Sequence, residues 1–139
     1  MRQAVVERDT AGNGMTPLHV AARDGKVAEM RAQLAQGADV HARNHLDRTP
    51  LHLAVAQGHL AAAVPLLDHS ADIDGTDVFG MTPLHLAVFM GHTQVVAFLL
   101  EHGASVNVRS FTEITPLSIA AMRGNADLTA LLRRHGGTF

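Results

Sequence analysis

The sequence predicts an all-α repeat solenoid of helix-turn-helix units of constant size joined by β-hairpin loops. Three observations carry that prediction. Thr-Pro-Leu occurs four times, as Thr16-Pro17-Leu18-His19, Thr49-Pro50-Leu51-His52, Thr82-Pro83-Leu84-His85 and Thr115-Pro116-Leu117-Ser118, each copy 33 residues after the last. Gly25, Gly58, Gly91 and Gly124 each follow their threonine by nine residues. Ala21, Ala54, Ala87 and Ala120 each follow it by five. A fixed period means one supersecondary unit stacked on itself, with a continuous slab buried between neighbours.

The elements follow in chain order. Residues 1–10 are expected to be a leader, a short helix or frayed, ahead of a repeat domain over residues 11–139 with units at about 11–43, 44–76, 77–109 and 110–139. In each unit the threonine stands where an N-cap belongs, and the proline where the first helical residue needs no N–H partner. The third unit is the most regular. A short helix is predicted from about Pro83 to Met90 and is stopped by Gly91; a second carries Val95, Val96, Phe98, Leu99 and Leu100 and is closed by Gly103. The residues between one unit's second helix and the next threonine, with Asp77 and Gly80 as turn formers, predict a projecting hairpin. Gly12-Asn13-Gly14 reads as an Asn-Gly turn feeding the first threonine.

The second unit departs most from this pattern. Asp47 stands in place of the hairpin glycine and Ser70 in place of the closing glycine, while Pro65 falls inside the second helix, where it loses a hydrogen bond. A helix near Ala61 to Leu67 is therefore expected to be kinked or to begin late. In the fourth unit Glu113 replaces a hairpin glycine and Ser118 the motif histidine. Polar residues at the ends, Glu29, Arg31 and Gln33 in the first unit and Arg133-Arg134-His135 in the last, read as caps of a four-unit stack, with a fragment of a longer array as the other reading.

Composition excludes several classes of function. The formal charge is −2 with both signs interspersed, so nucleic acid is not an expected partner. The absence of cysteine removes thiolate chemistry and disulfides. No stretch has the length of a membrane span, and the first residues lack a secretory apolar run, so a cytoplasmic protein is expected. Ten arginines against the single Lys26, with abundant alanine, hint at a GC-rich, bacterial genome.

Ten histidines invite a metal reading, since zinc takes three or four such ligands. Eight of them fall on repeat offsets instead: His19, His52 and His85 in the motif, His59 and His92 after the inter-helix glycine, and His69, His102 and His135 at second-helix ends. Successive copies of one offset lie roughly 10 Å apart, too far to share an ion. His41 and His45, beside a hairpin, are left as the two surface candidates. Asp68, Asp72, Asp74 and Asp77 read as a solvated turn with no apolar pocket to raise a pKa. Ser70 and Ser118 lack the glycines of a nucleophile elbow. No enzyme, metal or cofactor is expected.

The period and the core Thr49-Pro50-Leu51-His52-Leu53-Ala54, repeated as Thr82-Pro83-Leu84-His85-Leu86-Ala87, resemble the ankyrin repeat family, as do Gly37-Ala38-Asp39 and Gly103-Ala104-Ser105. That resemblance covers about residues 11 to 139. It implies that the motif histidines staple the capping threonine to a neighbouring backbone, and that a partner lies on a concave side formed by hairpin tips and first helices. The family's variable sites fall here on Gly12, Asn13, Met15, Arg23 and Asp24, then on His45, Leu46, Arg48, Ala56 and Gln57. In the second half they fall on Val78, Phe79, Met81, Phe89 and Met90, then on Phe111, Thr112, Ile114, Met122 and Arg123, a markedly apolar set.

The expected partner-binding residues are Leu46, Arg48, Val78, Phe79, Met81, Phe89, Met90, Phe111, Met122 and Arg123. Contiguous apolar surface with adaptable methionine suits a protein or peptide partner, and arginine suits its rim. For Met15, Met81 and Ile114, packing into the protein's own framework is an equal alternative. The expected function is a monomeric, non-enzymatic interaction module. The alternative is a bacterial accessory or effector protein that inhibits or tethers an enzyme.

Overall fold

Each Thr-Pro-Leu starts a helix, and each inter-helix glycine separates it from a second one. The structure, a computed structural model, describes residues 12–139; the leader expected over residues 1–10 lies outside them. The first helices are α1 (Pro17–Arg23), α3 (Pro50–Ala56), α5 (Pro83–Phe89) and α7 (Pro116–Met122). The second helices are α2 (Val27–Ala35), α4 (Leu60–Asp68), α6 (Thr93–Glu101) and α8 (Ala126–Arg134). First helices pack on first helices and second on second, in two layers, and each pair also packs internally. No strand occurs among the described residues; the projecting hairpins are turns, held as described below.

Seven-residue helices are too short to be stable alone, so caps and packing must hold them. In α5 the Thr82 hydroxyl accepts the His85 backbone N–H at 3.3 Å, while the His85 ring Nδ1 accepts the Thr82 N–H at 3.0 Å. This is a capping box with histidine in the place usually taken by glutamate or glutamine, and it recurs at α1 and α3. The other ring nitrogen reaches into the next unit. Nε2 of His19, His52 and His85 lies 2.9, 3.0 and 2.9 Å from the carbonyls of Arg48, Met81 and Ile114, each the residue before the next threonine. An N–H donor at Nδ1 and a carbonyl at Nε2 require the neutral ring with its proton on Nε2.

Leu18, Leu51, Leu84 and Leu117 and the alanines Ala21, Ala54, Ala87 and Ala120 form the buried seam between the layers, joined by Val96, Leu99, Leu128 and Leu132. The inter-helix glycine admits a further contact between units. At Gly58, φ is +78° and a Cβ would stand 2.8 Å from the His92 ring, whose Nε2 donates to the Ala56 carbonyl at 3.0 Å. A side chain there would displace the ring.

Two expectations need correction, and one left open is decided. The second helix of the second unit does not begin late: α4 starts at Leu60, in step with Val27, Thr93 and Ala126, and includes Pro65. Proline at the sixth helical position removes one intrahelical bond, while packing of the buried Ala62, Ala63 and Leu66 holds the turn before it. Asp77 is not part of a solvated turn; its side chain is buried, because backbone N–H groups and an arginine replace water around it. Met15, left open between surface and framework, is buried.

Asp47, Ser70 and Glu113 keep the left-handed conformation of the glycines they replace, with φ of 59°, 70° and 67°. At the offset of Ser70 the other units have Gly37, Gly103 and Gly136, at 93°, 90° and 87°. A left-handed L-residue costs about 1–2 kcal/mol, and glycine's extra freedom in the unfolded chain offsets part of that. Ser70→Gly is therefore expected to stabilise the protein by about 0.5–1 kcal/mol in urea unfolding; an unchanged or lowered stability would contradict the strain.

Burial lowers the pKa of all three motif histidines, that of His52 to about 4. The unfolded chain then binds protons that the folded chain refuses, so folding stability is full above about pH 6.5 and falls as pH drops from there toward 4, by about 1.4 kcal/mol per pH unit for each ring in its window. Urea midpoints measured across that range should fall steadily with acidification, before most carboxylates titrate. A flat profile from pH 7 to about 5 would show that the rings are not held neutral.

Candidate partner-binding face

The hairpins, called fingers below, are built from one buried polar side chain each. In the third finger Asp77 Oδ1 accepts the N–H groups of Phe79 and Met81, both at 2.9 Å, and the Asp77 N–H donates to the Met81 carbonyl at 3.0 Å. Asn44 Oδ1 does the same for Leu46 and Arg48 in the second finger, and Ser110 Oγ for Thr112 and Ile114 in the fourth. These side-chain turns replace a strand ladder.

Fingers are then chained to one another. The Val78 N–H donates to the Leu46 carbonyl at 2.8 Å and the Phe111 N–H to the Phe79 carbonyl at 3.0 Å. Arg48 Nε donates to Asp77 Oδ2 at 3.0 Å, tying the second finger to the third. Phe111 lies so close over the third finger that a Cβ on Gly80 would stand 2.7 Å from its ring. The result is a row of apolar tips held at fixed spacing by backbone bonds.

Between the third and fourth fingers and α5 lies a groove of about 450 Å³. It brings together six of the residues expected from the sequence: Arg48, Val78, Phe79, Met81, Phe89 and Phe111. Leu86, Ser110, Thr112 and Ile114 complete the lining. Thr112 and Ile114 stood among the variable sites, whereas Leu86 was read only as a motif residue; the recurrence of Leu53, Leu86 and Ile119 at one offset was the available signal.

Exposure separates the wall from the floor. Val78, Phe79, Phe89, Met90, Phe111 and Met122 are all exposed, from 43% at Val78 to 73% at Phe111. Met81 and Ile114 are half-buried and pack against the core as well as lining the groove. Leu46, Met90, Met122 and Arg123 do not line it. Leu46 is half-buried in the second finger, while Met90 caps α5 and Met122 ends α7 on the surface beyond. The Arg123 guanidinium lies over the Phe89 ring at 4.5 Å.

Of the cations read as a rim, Arg48 is committed to the finger frame through Asp77, and Arg23, on the first unit, pairs with Asp24 at 3.0 Å. His45, one of the two surface histidines, has its ring Nδ1 2.8 Å from the Asn13 carbonyl. No group of three or more His, Cys, Asp or Glu residues among the described residues is placed to hold a metal ion. Nor is any helix among them long and apolar enough to cross a membrane.

A family model of ankyrin repeats, in three copies, matches residues 3–77 and again residues 30–110. No curated protein matches the sequence. The pair α7 and α8 lies beyond the matched residues, yet starts at the same 33-residue step, from Pro83 to Pro116 and from Thr93 to Ala126. The chain belongs to the ankyrin repeat family.

Proposed function

We propose that the protein is a non-enzymatic interaction module that takes a segment of a partner protein on its concave face, in the groove between the third and fourth fingers. Ankyrin repeats are generally protein-protein interaction modules. The observation that carries the placement is the exposure of Phe79, Phe89 and Phe111 around one groove. Leaving such side chains in water forgoes about 1.5–3 kcal/mol for each large apolar group that burial would gain. Large aromatic side chains in a concave setting, held by a rigid backbone frame, are what binding hot spots are made of.

The double variant Phe79→Ala, Phe89→Ala tests the placement. Both side chains are exposed, so the variant should fold with a melting temperature within a few degrees of the parent, about the effect of a surface change. Affinity capture from the source organism, read by mass spectrometry, should lose the parent's specific partners on the variant. Capture of the same partners at the same yield would place the binding face elsewhere.

A further inference from the structure

The groove carries a charge bias. Its lining holds one arginine and no carboxylate, although the chain as a whole is formally −2. The lining arginine, Arg48, is matched by the buried Asp77. Beside the groove, outside its lining, stands a second cation that is not so matched: Arg123, at the end of α7, lies over the Phe89 ring at 4.5 Å and makes no ion pair among the described residues, while Glu113 of the fourth finger pairs with Arg109 at 3.9 Å.

Stacking on an aromatic face orients a guanidinium without using its N–H edge, since the attraction comes from the ring's electron-rich face. A planar edge so held is pre-organised for two parallel hydrogen bonds to a carboxylate, with less side-chain entropy left to lose on binding. The same arginine covers one face of Phe89, whose ring also lines the groove. An apolar side chain in the groove and a carboxylate on Arg123 would therefore be recognised together, through neighbouring residues of one ligand.

We propose that the groove's occupant is an acidic, apolar peptide segment of a partner protein, one large apolar side chain entering between Phe79, Phe89 and Phe111 and an aspartate or glutamate a few residues away pairing with Arg123. This rests on the concave-face reading above and adds to it the chemistry of the partner. Arg123 acts as a specificity-determining residue, and Phe79 as an affinity-determining one.

The test is a selection of random twelve-residue peptides displayed on phage against the intact protein, followed by fluorescence anisotropy with the best peptide and its Glu→Gln, Asp→Asn counterpart. Selected peptides should pair a large apolar residue with an acidic one. Changing the acids to amides should weaken binding to the parent about tenfold and to Arg123→Gln by less than about twofold, and Phe79→Ala should weaken both peptides. If selected peptides depend on Phe79 but carry no acidic preference, or if the acid-to-amide loss persists in Arg123→Gln, the charge proposal is overturned and the groove reading stands. If no selected peptide depends on Phe79, or none is selected, both fall.

Discussion

The stack depends on a histidine that is buried and neutral. His19, His52 and His85 each complete the N-cap of a seven-residue helix through Nδ1 and fasten the next unit through Nε2. A short first helix gains little from its own hydrogen bonds, so the same ring that caps it must also supply register between units. One side chain thereby sets both the start of a helix and the position of the next finger: the carbonyls that Nε2 reaches belong to Arg48, Met81 and Ile114, the last residues of the fingers. The fourth unit has Ser118 at this place, and the Thr115 hydroxyl donates to the Thr138 carbonyl at 2.8 Å instead.

The groove inherits its shape from that register. His85 holds Ile114, Asp77 holds Phe79 and Met81, and Phe111 is bonded to Phe79 through the backbone. Apolar tips therefore stay apart instead of collapsing on one another. Three left-handed non-glycine residues are tolerated in the same frame, two of them at finger turns, which indicates that the surrounding bonds over-determine the backbone there.

Much of this was legible in the sequence because a period repeats its own evidence. The threonine, proline and glycine offsets specify caps and stops by local chemistry, and the four first helices begin at the prolines that those offsets mark. What a period does not report is which polar residue is desolvated. Asp77 looks like any turn aspartate; only the approach of Arg48 from the previous unit, together with two N–H groups, removes it from water. Pro65 misled in the opposite direction: a local rule predicted a kinked or late-starting helix, yet α4 starts in register with the other second helices, packed against helices of both neighbouring units. Within the candidate face, the phenylalanines were readable as exposed because they occupy offsets that vary in the family. The floor at Leu86 was not, since a buried motif residue gives no sign that one side of it is open.

The central claim is that a neutral, Nε2-protonated histidine joins each unit to the next. Long-range nitrogen-proton correlation spectra of the ring-labelled protein measure this directly, because the two tautomers and the charged ring give distinct patterns. The expected result is an Nε2–H pattern for His19, His52 and His85 near neutral pH, with His52 still neutral at about pH 5, above its lowered pKa of about 4. An Nδ1–H pattern at these rings, or a His52 ring already charged near pH 6, would contradict it.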